Sequence, residues 1–489
     1  MTKSPTSEHD RRWLILAVLS VAQLMVVLDA TVVNIALPSA QRALHFSDGS
    51  RQWVLTAYTL GFGSLLLLGG RLADLFGRKR TLITGLAGFA VASAVGGTAQ
   101  SFGPLLAARA VQGIFAALLA PAALSLLTTT FTEPRERAKA FGVFGAVAGT
   151  GAAIGLLLGG VLTEYLSWRW CLYVNLIFAA IAGTGALLLL GKHARSAKPR
   201  LDIPGTLTAS AGLFSVVYGL SEATKNGWSA SSTLGFLAAG VALLAVFVAV
   251  QQRAAHPLLP LRIILDRNRG GSYLAMLISV AGMFGVFLFL TYYLQQTLGY
   301  SPVRSGLAYL PMIGAIVATS TIASTVLLPR VGPRLLVLPG MLLAAAGMVV
   351  LAQLGVHSTY AAHILPALIP LGVGLGLISA PAMNTATLGV DPGDAGVASA
   401  TVNTAQQVGG SLGTALLNTI ATTATTSFVA GKAASPAIAA QAAVHGYTTA
   451  FWWAAAIFAA GAVLCGLLLH RSPARVPAVQ VAPAWSAGS

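Results

Sequence analysis

Charged side chains are scarce in this chain: 9% of its 489 residues, against about 25% in a soluble domain. So few charges cannot cover a water-facing surface of that size, which excludes a soluble enzyme. Acid is the scarcer sign, with 13 Asp and Glu against 29 Lys and Arg. Cysteine is nearly missing. Cys171 and Cys465 stand alone in apolar stretches, which excludes a zinc pattern and a disulfide framework. No G-x-x-x-x-G-K-[ST] phosphate loop occurs and no water-soluble segment is large enough to bind ATP, so energy is expected from an ion gradient or from the substrate's own gradient. The eight histidines are scattered, with no metal-ligand spacing. No catalytic cluster emerges, and neither a metal nor an organic cofactor is expected.

What is present is apolar. Hydrophobic residues make up 56% of the chain and mean hydropathy is +0.78, which excludes disorder. The apolar runs are unbroken, unlike the alternating strands of a membrane barrel. At about 20 residues per spanning helix they make fourteen spans. The first follows MTKSPTSEHDRRW and is too long for a signal-peptide core; it reads as a retained span. The fold class is therefore an all-α polytopic membrane protein. Loop charge orients it. With the N-terminus in the cytoplasm, 22 Lys and Arg fall on the inner side, six on the outer side, and Arg109 lies within a span. That asymmetry follows the positive-inside rule and puts both termini in the cytoplasm. It also reads the net charge of +16 as loop charge beside anionic lipid, and no nucleic-acid partner is expected.

The loops divide the chain. Residues 1–12 form an N-terminal tail, 13–190 a first six-helix bundle, 191–203 a charged linker, 204–252 a central helix pair, 253–271 a second linker, 272–470 a second six-helix bundle, and 471–489 a Pro- and Ala-rich tail expected to be disordered.

A charge inside the bilayer is costly and is a functional candidate by default. Asp29, in QLMVVLDATVVNIALP, lies roughly 24 Å along the first helix from Trp13. Its face carries Met25 and other small or flexible apolar residues. A carboxylate there loses its hydration and becomes a candidate to take up and release protons, and to attract a cationic substrate. Arg109, in LLAARAVQGIFAA, needs a polar partner, and Gln112 and Gly113 share its face. Facing helix 1, it could bias the protonation of Asp29. Glu222, at the end of helix 7, is either a third member of this proton-coupling set or a solvated helix end.

Two glycine patterns stand out. In GGRLADLFGRKRTL, Gly77 permits a tight turn, Asp74 can accept from helix-end amides or arginines, and Arg78 and Lys79 mark the cytoplasmic side. With Gly70 these residues are read as a conformational gate. In helix 5, Gly151, Gly155 and Gly159 recur at i+4 with Gly160 beside the last, a face for close helix approach. The second half offers neutral polar groups: Tyr292, Tyr293 and Gln296 in helix 9, Asn384 in helix 12, and Asn403 and Gln407 in helix 13. Such groups either line a cavity or bond helices together. With Met25 and Asp29 they are the candidate substrate-cavity residues.

These motifs converge. The chain resembles the fourteen-helix drug:proton antiporters of the major facilitator superfamily, the multidrug resistance transporters. GGRLADLFGRKR looks like the cytoplasmic loop signature, LDATVVNIALP the helix 1 signature with Asp29 at its acidic position, and LLAARAVQG the helix 4 signature with Arg109 and Gly113 in place. One departure is plain: Leu156 stands where the family's helix 5 motif carries proline. The resemblance implies two six-helix bundles, plus the extra central pair, rocking about a midplane site. It implies export of lipophilic drugs or antibiotics, cations among them, with the proton as coupling ion, by a monomer among membrane lipids. A narrow metabolite or self-made antibiotic is the alternative cargo. A membrane sensor or scaffold is the alternative class, but no signalling module is visible. Arg outnumbers Lys 22 to 7, a GC-rich bias that points to a bacterial cytoplasmic membrane.

Overall fold

The computed structural model describes residues 5–46, 48–191, 202–255, 257–391, 394–433 and 435–470. Most of the linker 191–203 and all of the tail 471–489 lie outside the described residues. The helices run as α1 (Pro5–Leu44), α2 (Asp48–Phe76), α3 (Arg78–Thr98), α4 (Phe102–Thr130), α5 (Pro134–Tyr165), α6 (Trp170–Leu189), α7 (Ile203–Asn226) and α8 (Ser231–Arg253). Then come α9 (Arg267–Thr297), α10 (Val303–Val331), α11 (Arg334–Leu351) and α12 (Tyr360–Thr387). The last two are α13 (Ala395–Val429) and α14 (Pro436–Leu468). Twelve of them are long and apolar enough over the described residues to cross a membrane. The other two are α5 and α13, of 32 and 35 residues; α13 carries Thr, Ser, Asn and Gln along its length, which dilutes its hydropathy. Apolar surroundings leave the backbone no other partner than itself, so runs of this composition become helices.

Helix starts are written in the loops. Glu133, Asp202, Asp266, Ser301 and Ser435 each accept a hydrogen bond from a backbone amide of the first turn. Gly77, at φ +96°, makes the turn between α2 and α3. Within the expected tail 1–12, α1 already begins at Pro5, ahead of the apolar span Asp10–Val33. The linker 253–271 likewise contains a short helix, Leu261–Leu265, and the Asp266-capped start of α9.

Helices α1–α6 pack as one bundle and α9–α14 as a second. They meet along two seams, α2 and α4 against α13, and α5 against α10 and α12. Helix α7 lies against both α2 and α13, with α8 outside it. The contacts of α7 and its following turn reach both bundles: Ser221 Oγ of α7 is 3.1 Å from Thr56 Oγ1, and Trp228 in the turn donates to Thr419 Oγ1 at 3.0 Å. Between apolar helices in lipid, close approach rather than water exclusion drives association. The α5 glycine face does this against α1. A Cβ on Gly155 would strike the Thr31 hydroxyl, one on Gly151 would lie 2.8 Å from Val27, and one on Gly159 would lie 3.1 Å from the Val32 carbonyl. Gly160 is looser, with Val303 4.0 Å from its would-be Cβ.

Candidate functional site

Five helices of the first bundle converge on one carboxylate. Asp29 of α1 has no exposed surface and Arg109 of α4 has 1%. Arg109 Nη1 donates to Asp29 Oδ2 at 2.6 Å and to Gln112 Oε1 at 2.9 Å, while its Nε donates to the Val54 carbonyl at 3.3 Å. Asp29 Oδ1 accepts from Gln112 Nε2 at 3.2 Å and from Asn175 Nδ2 of α6 at 2.7 Å. Ser93 Oγ of α3 accepts from the same two amides, at 2.6 and 3.3 Å. Tyr58 of α2 lies under the guanidinium, 4.5 Å from ring centroid to Cζ. Gly113 lets α4 approach close enough for this, since a Cβ there would strike the Tyr58 carbonyl. All three hydrogen bonds to the Asp29 carboxyl come from side-chain nitrogens, an arrangement that suits a carboxylate with Arg109 as its counter-charge. An ion pair this deep costs much desolvation, which these hydrogen bonds offset, although Arg109 Nη2 is buried without a partner.

The sequence expectations for this cluster divide. Asp29, Arg109 and Gln112 come together, whereas Glu222 does not join them. It sits in the last turn of α7, hydrogen-bonded to Asn226 and to Tyr218, because α7 packs on α2 and not on α1. Tyr58, Ser93 and Asn175 complete the cluster and were not anticipated. The one available signal was Asn175 as a lone amide in the apolar run CLYVNLIFAA.

A second arrangement closes the seam at the end of the bundles that carries the Gly77 turn. Asp74, at the end of α2, accepts from the Gly396 amide at the start of α13, at 3.0 Å to Oδ1 and 3.1 Å to Oδ2. It also accepts from Arg78 Nη2 at 3.3 Å. A helix N-terminus presents free amides and a partial positive charge, so a carboxylate docks there well. Gly70 makes the fit possible, for a Cβ on it would lie 2.5 Å from the Gly396 carbonyl and 2.6 Å from Ala400. Lys79 does not reach the other bundle. Its Nζ donates to the Leu187 and Leu190 carbonyls, at 2.9 and 2.5 Å, tying α3 to the end of α6.

Arg137, at the start of α5, makes a parallel link that was not anticipated. It donates to Asn384 Oδ1 and Thr387 Oγ1 of α12, both at 2.9 Å, and to the Thr128 carbonyl at 3.2 Å. Asn384, expected along the cavity, is thus a buried acceptor between the bundles. Of the other expected cavity residues, Met25 and Tyr293 have no exposed surface, and the Tyr293 hydroxyl donates to the Gly355 carbonyl at 2.7 Å. Asn403 bonds back to the Ser399 carbonyl. Tyr292 is 41% exposed and faces Tyr447, whose hydroxyl donates to Gln296 Oε1 at 3.2 Å. Gln407 is half-buried and touches the space over Gly63 of α2. Two of these residues therefore stay near the bundle interface, Asn384 and Gln407, while the rest serve their own bundle.

Comparison with known proteins agrees with this architecture. Residues 19–414 match the model of the Major Facilitator Superfamily. A puromycin resistance protein of Streptomyces alboniger is 53% identical over 462 residues, covering 94% of this chain and 92% of that protein. A cephamycin export protein of Amycolatopsis lactamdurans is 40% identical, covering 85% of this chain and 86% of that protein. A crystal structure of a human organic anion transporter has a TM-score of 0.63 at 15% identity, covering 93% of this chain and 99% of that one. At that identity the likeness is one of fold.

Proposed function

The chain belongs to the major facilitator superfamily, and on that premise we propose that it is a proton-coupled exporter of an antibiotic or a similar lipophilic compound. The observation that carries the coupling is the buried Asp29–Arg109 pair in one bundle, beside the two seams where the bundles meet. The relatives at 53% and 40% identity are each named for a single antibiotic, and that favours a narrow cargo over a broad one. The bacterial relatives and the Arg-over-Lys bias support a bacterial cytoplasmic membrane, and loop charge supports both termini in the cytoplasm, which makes the Gly77 end the inner one.

The cycle follows from the geometry. Cargo enters from the cytoplasm or the inner leaflet while the Asp74–Gly396 and Arg137–Asn384 links are apart. Closing those links seals the inner side in this reading; both links are formed in the present structure. A proton arriving from outside neutralises Asp29 and releases its hold on Arg109. The freed guanidinium then shifts against Tyr58 and changes how α1, α2 and α4 face the cargo. Reopening inward returns the proton to the cytoplasm. The test is uptake into inverted membrane vesicles with an imposed pH gradient, using puromycin and a cephamycin as probes. Uptake that stops when the gradient is dissipated is expected for at least one member of a panel built around them. Uptake that persists without any proton gradient would contradict the coupling.

A further inference from the structure

Asp29 is held by donors alone, which suits a carboxylate but not a carboxylic acid. Once protonated, its O–H needs an acceptor. The groups within reach are few. Arg109 can only donate. Gln112 already spends its carbonyl oxygen on Arg109 Nη1 at 2.9 Å, and turning its amide would set NH2 against the guanidinium. Ser93 Oγ already accepts from two amides. The titratable and charged groups facing the carboxylate are Arg109 from α4, Tyr58 from α2 and Cys171 from α6. Helix α3 brings the Ser93 hydroxyl, and α5 brings Thr163 only through Cys171. Asn175 differs from all of these. Its Nδ2 donates to Asp29 and Ser93, while its Oδ1 is fully buried with no hydrogen-bond partner.

We infer that Asn175 is a positioning residue that serves both protonation states of Asp29: its amide nitrogen donates to the carboxylate, and after a half-turn of the amide its oxygen accepts from the acid. The inference rests on the proton-coupling reading of Asp29. A half-turn about the Cβ–Cγ axis of the Asn175 side chain exchanges Nδ2 and Oδ1 without moving the helix, bringing the unused oxygen to the position now held by Nδ2, 2.7 Å from Asp29 Oδ1. Asn175 thereby lets a proton land in a site built of donors without leaving the new O–H unsatisfied. It acts through Asp29 and makes no contact with cargo in this account.

The test needs no cargo. Infrared difference spectra of the purified full chain against Asp29→Asn isolate the Asp29 carboxylic-acid band, followed as a function of pH. Asn175→Leu removes both functions of the amide. Because hydrogen bonds to the ionised form are the stronger ones, the band should then appear at a pH higher by roughly one unit. Asn175→Ser keeps a donor and an acceptor and should return the midpoint toward wild type. Should Asn175→Leu fail to insert, Asn175→Ala carries the same expectation. A midpoint unchanged in Asn175→Leu or Asn175→Ala overturns the assignment and leaves the role of Asp29 standing. A wild-type protein with no titrating Asp29 band at any pH overturns the coupling reading itself, and the Asn175 assignment with it.

Discussion

The two bundles solve the same packing problem with different chemistry. Among the described residues, the buried charged residues are Asp29, Arg109 and Arg137, joined by the Asp74 carboxylate with 3% of its side chain exposed, all in the first bundle. The buried polar groups of the second bundle are neutral Ser, Thr and Asn. Its helices also carry four π turns, Val286–Leu290, Tyr293–Thr297, Ala323–Leu327 and Tyr360–Ile364, whereas the described part of the first bundle has none. A π turn re-aims the side chains around it and weakens the regular ladder. A carboxylate that must keep three donors within 3.2 Å needs the opposite, a rigid frame. The first bundle is thus built to hold charge in fixed geometry. The second is built to adjust its shape, and it meets the first through backbone amides and neutral acceptors.

That contrast breaks first at Arg109. Arg109→Ala leaves Asp29 buried with no counter-charge, which should destabilise the protein by about 3–5 kcal/mol. Unfolding of the detergent-solubilised variant measures this, and Asp29→Asn combined with Arg109→Gln should recover most of the loss. No recovery in the double variant would mean that Arg109 acts through packing alone. A smaller effect is expected at the seam. Gly70→Val forces a side chain into the Gly396 backbone, and overpacking of that kind costs about 1–3 kcal/mol. The α2–α13 link should open, exposing a cysteine placed at Ala400 to a membrane-impermeant thiol reagent. The native Cys171 and Cys465 are buried and give a quiet background. Equal labelling with and without Gly70→Val would remove the seam from the account. The smallest effect belongs to the second bundle. Gln296→Ala deletes one bond to Tyr447 on an exposed face and should change stability by less than about 1 kcal/mol, with uptake in vesicles nearly unchanged. A large loss of uptake would move cargo chemistry into that bundle.

Much of the fold was legible because membrane helices obey a simple rule: long apolar runs between charged loops. The site was legible only where it used charge. Asp29 and Arg109 stand out in apolar runs, and Gln112 follows on the Arg109 face. Ser93 and Tyr58 do not stand out, since neutral polar residues occur on most of these helices and only three-dimensional packing selects among them. Asn384 shows the other kind of loss. It was visible as a polar residue in a span, but its partner Arg137 is 247 positions away, and no periodicity encodes that meeting. Glu222 was visible for the same reason as Asp29, yet α7 packs against α2 and α13 and keeps it from the cluster.

The proposed coupling of proton movement to export rests on Asp29. Inverted vesicles carrying wild type or Asp29→Asn, matched for inserted protein, would be given a preformed pH gradient and then a transported antibiotic. The compound should collapse the gradient with wild type and leave it intact with Asp29→Asn. An equal collapse in both would contradict the coupling.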